Sequence, residues 1–141
     1  MFVGQHDHSL DEKGRVVLPS GYRAYFEEKG YVTQLDNCIG LWTGEGFKTV
    51  TARWEGLLDA REITQMVFRK LIVGAREVRL DSAGRITLPR ELLTQFDFAD
   101  QVVVAGRLDR VEIWAAQTFQ AVMESPEVSE ELAASIARLG L

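Results

Sequence analysis

The chain has 141 residues, enough for one ordinary domain, and its 46% apolar and 26% charged content is that of a folded, soluble protein. No low-complexity tract and no uncharged apolar run of bilayer length is present, which excludes a membrane-spanning helix. A formal net charge of −5 excludes a broadly basic nucleic-acid-binding coat, so any contact with nucleic acid has to come from locally concentrated cations.

The opening Met1-Phe2-Val3-Gly4-Gln5-His6-Asp7 has neither a basic leader nor an apolar signal core, and the single cysteine, Cys38, cannot form an intrachain disulfide. Both point to a reducing, cytoplasmic setting, with Cys38 a small buried filler. Next, His8-Ser9-Leu10 and Val16-Val17-Leu18 read as the arms of a hairpin closed at Gly14, where a tight turn needs positive φ. Pro19 has no N–H for a strand ladder, and Tyr22, Tyr25 and Phe26 follow at helical spacing, with Gly30 as the expected helix stop. Strands over 31–35 and 39–42 flank an Asp36-Asn37 turn. Val50, Trp54, Leu57 and Leu58 then mark one amphipathic helix. Ile63, Met66, Val67 and Leu71 mark a second, capped by Asp59 and ended by Gly74.

A second hairpin, residues 78–80 and 86–88 around Gly84, is followed by Pro89 and the helical spacing of Leu92, Leu93 and Phe96. Strands over 101–105 and 111–114 enclose a turn at Gly106-Arg107-Leu108-Asp109. Phe119, Val122 and Met123 suggest a short helix before Ser125-Pro126. Val128, Leu132, Ile136 and Leu139 then form one apolar face, to be covered by the chain's own core or by a neighbouring subunit.

The two hairpins carry the same pattern: Asp11-x-x-Gly14-Arg15-x-x-Leu18-Pro19 recurs as Asp81-x-x-Gly84-Arg85-x-x-Leu88-Pro89, 70 residues on. At the same offset Leu10 matches Leu80 and Phe26 matches Phe96, and Trp42-x-x-x-x-Phe47 returns as Trp114-x-x-x-x-Phe119 after a two-residue insertion. The chain is a tandem duplication. Repeat one occupies 5–47, a helical connector 48–75, repeat two 76–119 and a C-terminal helical segment 120–141. Either copy alone is near the size at which a core barely forms, so the halves are expected to share one.

Lys13, Gly14 and Arg15 put two cations and a permissive backbone at the tip of a narrow projection that can enter a groove. An arginine there can donate in bidentate fashion to guanine, worth about 1–3 kcal/mol of discrimination, while lysine and backbone N–H groups hold phosphate. Asp11 would be repelled by phosphate; its role is support, accepting from turn N–H groups and orienting Arg15, with Asp81 and Gly84 the equivalents beside Arg85. Glu12-Lys13 becomes Ser82-Ala83 in the second copy, which loses a cation. The main contact is therefore expected at Lys13 and Arg15, with Arg85 contributing less and Arg23 and Arg90 as nearby candidates. The bland alternative is a duplicated turn with a local ion pair and no ligand. His6-x-His8 offers two imidazoles on one strand face, too few for a zinc site, and no nucleophile motif accompanies them. Neither a metal, a cofactor, a small-molecule substrate nor catalysis is expected.

A hairpin of this pattern followed by a short helix, written twice in a chain that begins Met1-Phe2-x-Gly4, resembles the MraZ family of bacterial transcriptional regulators over essentially its whole length. A single copy would resemble many members of the wider SpoVT-AbrB class of swapped-hairpin DNA-binding modules. The resemblance implies a mainly β fold with short helices (α+β), a pseudo-symmetric swapped-hairpin β-barrel in which two AbrB-like repeats interlock. It also implies a homo-oligomeric ring, such as an octamer, and a nucleoid-associated protein that binds repeated boxes of double-stranded promoter DNA upstream of the division and cell wall gene cluster, commonly repressing its own operon. An acidic protomer makes the ring functional, since linked tips gain about 10²–10⁴ in avidity over one tip. The rival is an AbrB-like protein-interaction module of antitoxin type, without specific DNA recognition.

Overall fold

A computed structural model of the chain describes residues 1–140; Leu141, the last residue of the expected C-terminal segment, lies outside them. The described residues hold eight strands: β1 (Gln5–Ser9), β2 (Arg15–Val17), β3 (Gly30–Gln34), β4 (Ile39–Thr43), β5 (Arg76–Val78), β6 (Arg85–Thr87), β7 (Gln101–Gly106) and β8 (Val111–Ala115). Six of them form an antiparallel sheet in the order β1-β7-β8-β4-β3-β5, and β2 pairs with β6 in a separate two-stranded ribbon. Short helices surround this framework: α1 (Ser20–Arg23), α2 (Gly44–Asp59), α3 (Gln65–Val73), α4 (Arg90–Gln95), α5 (Ala116–Met123) and α6 (Pro126–Ser135).

The expected fold class, strands with short helices, is what the chain adopts, with one difference from the hairpins read along the sequence. The arms of each motif do not pair as a local hairpin: β1 pairs with β7, while β2 crosses to β6, setting Val16 opposite Ile86. The exchange is the interlock that the family resemblance implied. The exchanged strands form their own ladder, and β1 and β5 are the edge strands of the large sheet.

One core unites the halves. Val16, Leu18, Ile86 and Leu88 from the ribbon region pack with Val32, Ile39, Leu41, Val102, Val104, Val111 and Ile113 of the large sheet, all at or near zero exposure. Burying side chains of this kind is worth about 1.5–3 kcal/mol each relative to exposure, so the shared core stabilises both repeats together. The intervening residues of β4 and β8 face the other way, where the two repeats carry matching aromatic pairs. Trp42 packs on Phe47 at the start of α2, with ring centroids 5.7 Å apart, and Trp114 packs on Phe119 of α5 at 5.5 Å. Trp54 closes edge-on to Trp42 at 5.9 Å. Gly40 has no alternative here: a methyl group at its Cα would fall 2.4 Å from Cη2 of Trp42.

Other expectations met the packing differently. Gly30 does not end a helix, since the first helical stretch finishes with a 3₁₀ turn at Ala24–Phe26 and Gly30 opens β3. Its requirement is space, because a Cβ would lie 3.0 Å from both the Trp42 carbonyl oxygen and Phe26. Asp59 is the last residue of α2 and does not cap α3; the chain reverses at Arg61, φ 59°, and the Thr64 hydroxyl accepts from Val67 N–H at 3.2 Å. Gly74 does end α3. The expected C-terminal apolar face is largely uncovered among the described residues: Leu132 on α6 is 59% exposed, and in the 3₁₀ turn that follows, Ile136–Leu139, Ile136 is 46% and Leu139 59% exposed, while Val128 is half-buried. Val67 and Met66 on α3 are exposed as well. No helix among the described residues is long and apolar enough to cross a membrane.

Candidate nucleic-acid interface

Each motif folds into the same tight turn, built around its aspartate. Asp11 Oδ1 accepts from the Lys13 and Arg15 backbone N–H groups, both at 2.9 Å, and Oδ2 accepts from Arg15 Nε at 2.6 Å. Asp81 repeats the arrangement, accepting from Ala83 N–H, Arg85 N–H and Arg85 Nε, all at 2.9 Å. The turns close with Gly14 N–H to the Asp11 carbonyl and Gly84 N–H to the Asp81 carbonyl, both at 3.0 Å, and the glycines sit at φ +75° and +76°. Asp supplies what a turn of this kind needs, an acceptor for N–H groups that the strand ladder leaves unpaired. The Arg15 backbone N–H above all, then its guanidinium and the Lys13 N–H, hold the Asp11 carboxyl below the ordinary carboxylate value. Asp81 is held down in the same way by Arg85 and Ala83.

The exchange of β2 and β6 brings the turns side by side. Leu18 N–H donates to the Gly84 carbonyl at 3.0 Å and Leu88 N–H to the Gly14 carbonyl at 2.9 Å, so each turn is gripped by the chain leaving the other. In the ribbon Val16 and Ile86 point into the core at 0% and 1% exposure. Alternation therefore turns Arg15, Val17, Arg85 and Thr87 to the opposite face. Arg85 Nη1 lies 3.8 Å from Asp11 Oδ2, which joins the ion pairs of the two turns. Lys13 is exposed at the first tip and makes no ion pair among the described residues. The result is a two-stranded ribbon, buried on its inner side, with two aspartate-braced guanidinium groups on its outer face, each still having nitrogens to donate.

The two nearby arginines reach across the repeats. Arg23 Nε donates to the Leu18 carbonyl at 2.8 Å, and its guanidinium lies over Gly84 of the second turn. Arg90 Nη2 donates to the Glu12 carbonyl at 3.4 Å, beside the first turn. These cross-repeat neighbours were not assigned to a particular turn from sequence, since spacing along the chain does not reveal which strand the ribbon pairs with. Elsewhere, His6 sits edge-on to Tyr22 at 5.4 Å, and burial, with His6 and Arg23 nearby, pushes the His8 imidazole below its ordinary value. No group of three or more His, Cys, Asp or Glu side chains suited to a metal ion occurs among the described residues. Cys38 is buried, and burial pushes its thiol up to about 12.

The family model described as "MraZ protein, putative antitoxin-like" matches residues 1–65 and 71–139. A protein of Thermoanaerobacter sp. (strain X514) named "Transcriptional regulator MraZ" is 33% identical over 135 residues, covering 94% of each chain. The family match spans both turns and nearly all of the chain that builds them, and on that ground the protein belongs to the MraZ family.

Proposed function

We propose that this protein is a sequence-specific, DNA-binding transcriptional regulator. In this reading it represses its own division and cell wall gene cluster by occupying repeated promoter boxes as a ring-shaped oligomer on the nucleoid. The observation that carries it is the β2–β6 ribbon, with Arg15 and Arg85 on its outward face, each braced by an aspartate. A two-stranded ribbon fits the major groove, and arginines held this way pay little further ordering entropy on meeting guanine. Lys13 is the phosphate-holding partner, at a tip whose turn Gly14 shapes, and the repeats over 5–47 and 76–119 act as one DNA-binding unit. The similar Thermoanaerobacter protein carries the name of a transcriptional regulator, which supports the class.

Assembly is the second part of the proposal. The protein carries a net charge of −5, so an isolated protomer meets DNA at an electrostatic disadvantage, and repeated tips compensate through avidity. The exposed apolar residues of α3, Met66 and Val67, and of α6 and the 3₁₀ turn after it, Leu132, Ile136 and Leu139, are surfaces of the kind that subunit contacts cover.

Fluorescence anisotropy with a duplex carrying the region upstream of its own gene, across a salt series, tests the proposal. Tight, salt-sensitive binding that drops about 5- to 150-fold on Arg15→Ala is expected, the equivalent of about 1–3 kcal/mol per specific contact. The antitoxin-like description of the family favours one rival, docking of a protein partner by the same fold. Absence of specific DNA binding by the intact protein would select that rival.

A further inference from the structure

The two turns differ in sequence at the tip, Lys13 against Ala83, which suggests a weaker second turn. The exchanged fold alters that comparison. At the shared offset of 70 residues, Arg23 corresponds to Leu93, and each of these side chains lies over the turn glycine of the opposite repeat. A methyl group on Gly84 would fall 2.6 Å from Arg23 Nε and 2.7 Å from its Cζ, whereas one on Gly14 would fall 3.0 Å from Leu93 Cδ1. The first turn thus has lysine at the tip and leucine above it. The second has alanine at the tip and arginine above it.

The substitutions are reciprocal. Lys13, Arg15 and Arg90 stand against Asp11 and Glu12 at one turn, and Arg85 and Arg23 against Asp81 and the nearby Glu27 at the other. Without Arg23 the second turn would keep one cation beside two carboxylates. Arg23 is also fixed for use: Nε is held by the Leu18 carbonyl at 2.8 Å, while its two terminal nitrogens have no hydrogen-bond or ion-pair partner among the described residues. They border an open cleft lined by Glu27, Asp81, Ser82 and Gly84.

We propose that Arg23 serves the second turn as Lys13 serves the first, a phosphate-contacting guanidinium supplied by one repeat to the other, so that both turns engage DNA on comparable terms. This rests on the DNA-binding reading above. A guanidinium fits the task because it remains charged at all working pH values and can present two parallel N–H groups to a phosphate.

The test measures the salt dependence of binding to a duplex carrying the protein's own upstream region for four proteins: wild type, Arg23→Ala, Ala83→Lys, and the two changes combined. Loss of one phosphate contact per engaged second turn lowers the log–log salt slope by about 0.9. Arg23→Ala is expected to show that loss, and Ala83→Lys in the same chain to restore it, because position 83 is exposed and lies at the same turn. An unchanged slope in Arg23→Ala overturns the inference while leaving the DNA reading intact. A reduced slope that Ala83→Lys does not restore also overturns it, assigning Arg23 to bracing the Leu18 carbonyl alone. If wild type shows no specific binding, the DNA-binding reading and this inference fall together.

Discussion

Arg85 Nη1 approaches Asp11 Oδ2 to 3.8 Å, although the two residues belong to different copies of the motif. Since Asp11 also takes Arg15 Nε at 2.6 Å and Asp81 takes Arg85 Nε at 2.9 Å, the two turns form one chain of alternating charge. Orientation of either arginine therefore depends on both repeats.

The pH dependence follows from the carboxylates. Asp11 and Asp81 are held below their ordinary value of 3.8, chiefly by the Arg15 and Arg85 backbone N–H groups. A depressed folded-state value means that their contribution to stability is fully present above the unfolded value and is lost as pH falls through the lower folded one. Urea midpoints of wild type and an Asp11→Asn/Asp81→Asn variant should differ by a constant amount between about pH 5 and about pH 8 and converge below about pH 4. A difference that grows toward acid would contradict this assignment.

Both turn glycines resist a side chain. Gly14→Ala and Gly84→Ala each place an L-residue in the left-handed region, at a cost of about 1–2 kcal/mol in urea unfolding. Gly84→Ala is the more damaging, because its methyl group meets the Arg23 guanidinium at 2.6 Å where that of Gly14→Ala meets a leucine methyl at 3.0 Å. Equal costs would mean that Arg23 yields freely.

Gly40→Ala tests the outer face of the sheet. The added methyl falls 2.4 Å from Cη2 of Trp42, a side chain only 1% exposed, and the indole must shift. Overpacking of this kind costs about 1–3 kcal/mol, and tryptophan emission is expected to move to the red. Unchanged stability and emission would show that the face is more loosely packed than described.

Cys38 is expected to be inert. With the thiol 1% exposed and its pKa pushed up to about 12, it stays protonated at any working pH and hidden from reagents. A disulfide-exchange reagent at about pH 8 should label it only after denaturant unfolds the chain; prompt labelling of native protein would contradict the burial.

Charging the C-terminal apolar face, at Leu132 on α6 and Ile136 in the turn after it, should separate assembly from folding. Leu132→Asp combined with Ile136→Asp leaves the core untouched, since both side chains are exposed within the protomer. Sedimentation velocity should show the proposed oligomer reduced to smaller species while far-ultraviolet circular dichroism is unchanged; an oligomer that persists removes α6 from the interface.

What the sequence made legible was local. The aspartate-braced turns, their positive-φ glycines and the strands around Asn37 and Leu108 all arise from residues within a few positions of each other, where residue type and spacing determine hydrogen bonding. The exchange of β2 and β6 was not readable from alternation, because an apolar face is satisfied by any partner strand of the right pattern. Gly30 and Asp59 failed for a related reason. Each has the composition of a helix signal, yet the first serves a close approach of Trp42 and the second precedes a reversal that hands capping to Thr64. At the candidate site Arg23 was legible as a candidate, but the same non-locality hid which turn it serves, since it lies over a glycine 61 residues away in the chain.

The pairing of Val16 with Ile86 also sets the order of events on the ribosome. These partners are 70 residues apart, so at about 5–20 residues per second the first repeat emerges roughly 4–14 s before its ribbon partner has been made. During that interval Val16 and Leu18 have no strand to cover them. Nascent chains of this protein are therefore most open to chaperone capture, or to exchange of β2 with another copy, between completion of the first turn and emergence of Leu88.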